Sequence, residues 1–254
     1  MEALSPMPVR ETEAIILRSF PFKEADKIVS FFGRETGRMR GVAPNARRSV
    51  RRFGAGLALL SHVRIHFQEH PSRDLVRIES CDLLHSVLET ESSYERIVAY
   101  SYLAEVCEQL LPEHEVHDAF FRLLLLVREE IFRGGSIWRP LTYFDLWSLK
   151  LAGLLPPLDV CEQCGQPLGQ NDPGWFRQQS DGLQCRDCHS QGGSKLTPAS
   201  RSIAREMLSG PLSNIPADGW DQSRASDLRR FLEQCLERLI ERKLVTRQQL
   251  DHLP

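Results

Sequence analysis

Four cysteines in two Cys-x-x-Cys pairs are the residues of this chain best suited to chemistry. The pairs are Cys161/Cys164 and Cys185/Cys188, with twenty residues between them. Two residues between thiols let one tight turn aim both sulfurs at the same ion, and a second turn completes a tetrahedron. The spacing predicts a zinc ribbon that holds one Zn²⁺. A redox dithiol and two disulfides are the alternatives.

The predicted zinc is structural. A catalytic zinc keeps one coordination position open for water, and four thiolates leave none. His189 follows Cys188 and could replace a thiolate, but we expect it to be an exposed neighbour of a complete cysteine set. The zinc deaminase signature is absent, since Val160 rather than proline precedes Cys161.

A second cluster consists of six arginines within residues 38–52, a stretch without any acidic residue. Guanidinium groups hold phosphate bidentately and stack on bases. The predicted nucleic-acid contacts are Arg38, Arg40, Arg47, Arg48, Arg51 and Arg52, with Lys23 and Lys27 in second place. Because like charges repel, we expect a mobile loop that an anion orders. A solvated charged loop is the alternative, and Phe53 is either a stacking face or a core residue.

Charge is distributed unevenly along the chain. Residues 1–80 carry fourteen Lys and Arg against nine Asp and Glu, and the remainder carries eighteen against twenty-five. The two parts are therefore expected to bind different partners.

With 41% hydrophobic and 26% charged residues among 254, the chain has the composition of an ordinary globular protein that buries a core.

The elements that position these clusters begin with β-strands. Five short apolar stretches, several with period-two alternation, occupy residues 11–20, 27–33, 37–43, 57–67 and 75–81. They predict a small closed barrel, for which an OB-fold is the first choice and an SH3-like barrel the alternative. His62, His66 and His70 recur every four residues, but such strand positions are about 13 Å apart. We interpret these histidines as exposed strand positions rather than ligands of one ion.

From about residue 90 apolar positions recur every three or four residues, which predicts helices. They occupy residues 93–113, 116–134, 136–157, 197–210 and 223–244, the last two with a Thr or Ser cap. Trp138, Phe144 and Trp147 are expected in their core, and Cys81, Cys107 and Cys235 as small buried hydrophobes.

The predicted fold class is therefore α+β, with an N-terminal five-stranded OB-fold-like barrel followed by an α-helical domain that carries a four-cysteine zinc-ribbon insertion. The expected domains are the barrel (1–82), the first part of the helical domain (83–157), the ribbon (158–195) and the last part of the helical domain (196–254).

This order of parts resembles the RecO family of bacterial recombination-mediator proteins. The resemblance rests on the opening strands with Glu24 and Asp26, on Gly37 and Gly41, and on Ala46-Arg47-Arg48-Ser49. It continues through residues 57–67 and covers nearly the whole chain. Residues 43–45 (Ala-Pro-Asn) depart from the family pattern. The resemblance therefore does not define the conformation of the arginine segment that follows them. The zinc site is not universal in the family.

The resemblance implies a non-enzymatic DNA-binding mediator that anneals complementary single strands and helps load recombinase onto single-stranded DNA coated by single-stranded DNA-binding protein. The implied partners are single- and double-stranded DNA, RecR, the C-terminal tail of single-stranded DNA-binding protein and, indirectly, RecA. We expect a cytoplasmic, nucleoid-associated bacterial protein with no membrane contact, because residues 1–10 lack the pattern of an export signal.

Two other classes of function stay open. A zinc-ribbon enzyme that modifies nucleic acid would need an activated nucleophile or clustered carboxylates for Mg²⁺, and the sequence has no Walker motif, Gly-rich dinucleotide fingerprint or Gly-x-Ser-x-Gly. A zinc-ribbon adaptor that binds only proteins would suit the acidic C-terminal part and would leave the arginines without a purpose.

Overall fold

The computed structural model describes residues 8–87, 93–178, 180–189 and 192–253. These residues belong to two compact units. The first lies within Met1–Arg128 and Leu244–Pro254, and the second is Glu129–Lys243. The four-domain division expected from the sequence stays a prediction.

The first unit is built around a closed five-stranded barrel. Its strands are β1 (Arg10–Phe22), β2 (Asp26–Gly33), β3 (Gly37–Ala43), β4 (His62–Gln68) and β5 (Val76–His85). They close in the order β1-β2-β3-β5-β4, with β3 and β5 parallel and the other neighbours antiparallel. The prediction of an OB-like barrel in an α+β chain is confirmed.

Alternation along each strand separates the barrel interior from its outer face. In β3, Met39 and Ala43 are buried in the barrel core, while Arg38 and Arg40 point outwards. The aromatic rings of Phe31 and Phe67 fill the interior with their centroids 6.1 Å apart. Because β2 and β4 are not neighbouring strands, these two rings meet across the barrel interior rather than along a strand pair.

The strand predicted over residues 57–67 is shorter than expected, since β4 begins at His62. Residues 57–61 form a turn in which Leu57 and Leu60 are buried. Leu60 has a φ of 51°, which is incompatible with a continuous strand. Its N–H donates to the Ile16 carbonyl at 2.8 Å, so the apolar run closes the barrel end instead of extending β4.

The expectation that His62 is exposed is wrong. His62 is only 9% exposed, and its Nε2 lies 2.7 Å from Oε1 of Glu13 on β1. Burial lowers the pKa of His62, and the contact with Glu13 opposes that effect. His66 is partly exposed with Nε2 3.0 Å from Asp82, and His70 is exposed beyond the end of β4.

The first unit also contains helical segments. Helix α1 (Tyr94–Leu110) begins after Ser93, whose side chain accepts the Arg96 N–H. The residues of α2 (Asp118–Arg133) up to Arg128 belong to this unit. Helix α6 (Val245–Asp251), which the sequence did not predict, is capped by Glu105, whose carboxylate accepts the backbone N–H groups of Val245 and Thr246 at 2.8 Å.

The second unit is helical, with a short two-stranded sheet. Its elements are α3 (Trp138–Leu151), β6 (Gly174–Phe176), β7 (Ser194–Leu196), α4 (Pro198–Ser209) and α5 (Ser226–Leu239), together with a 3₁₀ turn at Leu212–Asn214. Trp138 and Phe144 are buried, and Trp147 donates from Nε1 to the Met207 carbonyl at 3.1 Å. The predicted core positions of Trp138 and Phe144 are confirmed, whereas Trp147 is only partly buried; Cys81, Cys107 and Cys235 are buried in their respective units.

One of the two predicted helix caps is confirmed. The Thr197 side chain accepts the Ser200 N–H at the start of α4. Helix α5 has no serine cap, because Ala225 occupies the cap position with a φ of 56° and makes no side-chain bond. In the described part of the chain, no helix is long and apolar enough to cross a membrane.

Gly37 provides a test of the contact between β3 and the segment after α1. Its φ is +73°, and a Cβ there would lie 2.3 Å from the Glu115 carbonyl oxygen. We expect Gly37→Ala to lower the free energy of unfolding by about 2–4 kcal/mol, through left-handed backbone strain and a backbone clash. Urea denaturation measures this.

Gly54→Ala is the control in the same unit. Gly54 has a φ of +45°, but the nearest atom to its added Cβ is 3.3 Å away. Gly54→Ala should lower the free energy of unfolding by only about 1 kcal/mol, because it adds left-handed backbone strain without the backbone clash. Equal losses for the two variants would contradict the proposed clash.

Candidate nucleic-acid interface and metal centre

The arginine segment between β3 and β4 is folded into successive turns. Phe53 and Leu57 belong to the barrel core, the Arg47 N–H donates to the Ala25 carbonyl at 3.0 Å, and the Cys81 N–H donates to the Arg52 carbonyl at 2.9 Å. These contacts and the buried side chains that follow the arginines hold the segment in turns, and its expected mobility stays a prediction. Phe53 is 2% exposed and has no face for a base.

Two of the predicted arginines are held by protein groups. Arg52 donates from Nη2 to the Pro44 carbonyl at 2.6 Å, and its guanidinium lies 4.9 Å from the centroid of the Phe53 ring. Arg38 donates from Nε to the Leu111 carbonyl at 2.8 Å, and its side chain is only 16% exposed. Their guanidinium groups have less freedom to meet a phosphate than the others.

The other cationic groups are more accessible. Arg48 pairs with Glu24, whose carbonyl also accepts a hydrogen bond from Nη1 of Arg47 at 3.0 Å. Lys23 is exposed in the turn between β1 and β2, beside Glu24. The structure therefore brings Lys23, Arg47 and Arg48 together around Glu24.

The three remaining predicted cations lie on the same segment or on the barrel. Arg51 is exposed on the arginine segment. Arg40 is on the outer face of β3, where its Nε lies 2.9 Å from the Glu113 carboxylate. Lys27 is half-buried opposite Ala43 at the end of the barrel. Exposed ion pairs such as those of Arg40 and Arg48 contribute about 0–1 kcal/mol, so a phosphate can replace the carboxylate at small cost.

The four cysteines predicted to bind metal meet in one cluster. The Sγ atoms of Cys161, Cys164, Cys185 and Cys188 all lie within 4.8 Å of one another, and those of Cys164 and Cys185 are 3.8 Å apart. Four sulfurs about 2.3 Å from a central ion are about 3.8 Å apart in a tetrahedron. The donor set and its spacing therefore fit a four-thiolate metal site.

Backbone turns place these sulfurs. The Gly165 N–H donates to the Cys161 carbonyl at 3.0 Å, and the His189 N–H donates to the Cys185 carbonyl at 2.9 Å, which closes a turn around each pair. Trp175 and Gln184 exchange backbone hydrogen bonds, so the chain reverses between them. This reversal brings the second Cys-x-x-Cys pair back to the first.

The electrostatics of the cluster favour a cation. Burial raises the pKa of the Cys161 thiol, but backbone N–H groups, including that of Cys185, lower it to about 6. Hydrogen bonding among the thiols raises the pKa of Cys188 to about 12, because a second thiolate beside the first is unfavourable. A divalent ion removes this repulsion by stabilising every thiolate.

His189 lies outside the sulfur cluster. Its ring stacks on Trp175 with a centroid distance of 5.0 Å and an interplanar angle of 14°. It is partly buried rather than exposed as expected, and its role is to pack against Trp175.

Sequence reasoning missed Arg201, which joins the cysteine segment to α4. Arg201 is fully buried, and its guanidinium donates to the carbonyl oxygens of Leu158, Leu168, Gly169 and Asp172 at 2.6–3.0 Å. A buried arginine normally requires such complete hydrogen bonding. The only available signal was an arginine at an apolar position of a helical pattern.

The chain is therefore an α+β protein with a five-stranded OB-like barrel that exposes basic residues and a helical unit that carries a cluster of four cysteines able to hold a metal. Residues 7–87 match the family model "Recombination protein O N terminal", and residues 91–248 match "Recombination protein O C terminal". The chain belongs to the RecO family, as its sequence resemblance predicted.

Similar proteins carry the name DNA repair protein RecO. The one from Koribacter versatilis is 44% identical to this chain, over 96% of this chain and 99% of its own length. That from Anaeromyxobacter sp. (strain Fw109-5) is 30% identical over 94% of both chains. That from Symbiobacterium thermophilum is 28% identical over 97% of this chain and 98% of its own. Family membership supports a role in DNA repair and recombination.

The Arg201 network yields a stability prediction. Arg201→Met keeps an unbranched apolar stem but leaves four carbonyl groups without their donor, two of them in the buried residues Leu158 and Leu168. We expect the free energy of unfolding to fall by about 3–5 kcal/mol, the usual cost of removing one partner from a buried charged network. Urea denaturation of the whole chain measures it.

Arg205→Met is the matched control, since Arg205 lies one turn further along α4 and is exposed. It should change the stability by no more than about 0.5 kcal/mol. If Arg201→Met were as mild as its control, the network would not hold the cysteine segment.

Proposed function

We propose that this chain is a non-enzymatic recombination mediator that binds DNA through the barrel, anneals complementary single strands and helps load recombinase onto coated single-stranded DNA. The observation that carries the proposal is the exposed cationic surface formed by Lys23, Arg47, Arg48 and Arg51 on an OB-like barrel. Family membership supports the same role.

Annealing requires two polyanions to approach each other. Guanidinium and ammonium groups that contact phosphates release condensed counterions, which gives sequence-independent affinity that falls with salt. Arg48 exchanges Glu24 for a phosphate oxygen, and Arg47 and Arg51 add positive charge beside it. Two bound strands then repel each other less, so base pairing proceeds at lower electrostatic cost.

The remaining candidate residues have lesser roles in this proposal. Arg40 and Lys27 extend the contact surface, while Arg38 and Arg52 chiefly hold the barrel and the arginine segment in shape. The acidic excess outside residues 1–80 supports assigning RecR, the tail of single-stranded DNA-binding protein and, indirectly, RecA to the helical part. A cytoplasmic, nucleoid-associated location goes with this function.

We propose Zn²⁺ as the ion of the four-cysteine cluster. Zinc has the thiolate preference and the tetrahedral geometry that fit the 3.8 Å separation of Cys164 and Cys185. With four protein ligands no position remains for a reacting water, which supports a structural role and counts against a zinc-dependent enzyme.

The DNA proposal is tested by fluorescence anisotropy of a labelled single strand across a salt series. We expect Arg47→Ala, Arg48→Ala and Arg51→Ala combined to weaken binding and to reduce the slope of log K against log salt by about 2, or about 0.7 per lost contact. The control combines Arg10→Ala, Arg64→Ala and Arg73→Ala, which removes three arginines of the same unit outside the segment. Identical salt slopes for the two triple variants would rule out the arginine segment as the DNA site.

The zinc proposal predicts one Zn²⁺ per chain by metal analysis. Because binding to a structural site contributes directly to folding, chelation in mild denaturant should unfold at least residues 158–195 and expose them to protease. Cys164→Ser should lose the ion, whereas His189→Ala should retain it. Unchanged thermal stability after verified zinc removal would contradict a structural role.

A further inference from the structure

The outer face of the barrel carries an aromatic side chain that the arginine argument does not use. All twelve phenylalanines lie in the described part of the chain, and Phe20 alone among them is exposed, by 41%. Val29 and Phe31 of β2 fill the barrel core, so Ile28, which alternates with them, faces outwards. Phe20 is directly opposite Ile28 and therefore faces outwards as well.

Phe20 belongs to a partly exposed apolar row across three strands. Ile28 is opposite Phe20 of β1 on one side and Val42 of β3 on the other. Ile28 and Val42 are both partly exposed. Side chains directly opposite one another have Cβ atoms about 4.5–5.5 Å apart, so the three form one surface. On the other side of β3, Val42 pairs with the exposed Arg77 of the parallel strand β5.

Cations border this apolar row. Arg18 and Arg40 lie in the neighbouring row, both opposite Ser30, and are 68% and 50% exposed. The Arg18 guanidinium lies 5.7 Å from the centroid of the Phe20 ring. At the tip of the β1–β2 hairpin, Nζ of Lys23 lies 5.3 Å from the centroid of Phe22.

The acidic groups close to this surface already have partners. Glu24 pairs with Arg48, Glu113 with Arg40 and Glu108 with Arg18, and Oδ1 of Asp26 accepts the Asn45 N–H at 2.9 Å. The face therefore offers an apolar ring surface within a rim of exposed, ion-paired arginines, whose carboxylate partners a phosphate can replace at small cost. That combination complements a strand whose bases are unpaired, because bases stack on aromatic rings while phosphates meet cations.

We propose that Phe20 is a stacking residue for an unpaired base and that it gives the barrel a preference for single-stranded over duplex DNA. This inference rests on the proposed DNA-binding function. In a duplex the base faces are occupied by their neighbours, so only the phosphate contacts of the basic rim remain. Arginine contacts then supply affinity for both forms, and Phe20 supplies the difference between them.

The test compares Phe20→Ala with wild type in anisotropy titrations of a labelled oligothymidylate and a labelled hairpin duplex at the same salt concentration. Stacking predicts that Phe20→Ala weakens single-strand binding about tenfold while duplex binding and the salt slope stay unchanged. Phe20→Trp should retain the single-strand affinity because it keeps an aromatic face. A thermal melt should show that Phe20→Ala still folds cooperatively, since Phe20 lies outside the barrel core.

Leu84→Ala is the matched control, because Leu84 is an apolar strand residue that is 39% exposed and lies outside the row. It should bind both DNAs like wild type. Equal weakening for both DNAs, or no weakening for either, overturns the stacking role. The latter result is what an apolar surface for a protein partner would give.

The two proposals fail in different ways. If the triple arginine variant flattens the salt slope while Phe20→Ala binds like wild type, the DNA interface stands and the stacking inference is wrong. If the wild type binds neither DNA, both proposals are overturned.

Discussion

The burial of Phe53 and Leu57 in the barrel core is the constraint on which the arrangement of the basic surface depends. A segment with this density of arginines repels itself, and that repulsion favours an extended chain. Fully burying a phenylalanine or leucine contributes about 1.5–3 kcal/mol each, which is enough to oppose a repulsion already screened by solvent. The turns that bring these two residues inwards decide which arginines face solvent and which bind carbonyl groups.

The second unit must also fix an irregular segment, the one that carries the four cysteines, and it does so with polar groups. The cysteine segment has little regular structure beyond short strands, and its backbone hydrogen bonds come mainly from turns and isolated bridges. The sulfur cluster joins the two Cys-x-x-Cys turns, and the guanidinium of Arg201 satisfies four carbonyls within residues 158–172. The proposed metal and the buried arginine would together replace the large apolar core that a segment of this size cannot form.

Sequence patterns predicted the parts of the molecule that follow local rules. Alternation located the five strands, three- and four-residue periodicity located α1 to α5, and cysteine spacing identified the metal cluster. The errors arose where tertiary contacts decide the outcome. Burial of His62 depends on Glu13 of another strand, and the end of the apolar run at Leu60 depends on closure against Ile16. Arg201 could not be recognised because its four acceptors lie about thirty to forty residues away in sequence.

The acids within the basic surface bear on how the proposed interface would work. Glu24 and Glu113 hold Arg48 and Arg40 in the free protein, so each phosphate contact replaces an existing ion pair instead of engaging a bare charge. The net gain per contact is reduced, while the dependence on salt is kept because the condensed counterions of DNA are still released. An annealing protein must release its product after two strands have paired. If base stacking holds only unpaired strands, pairing itself removes that contribution, and the weakened phosphate contacts alone remain to retain the duplex.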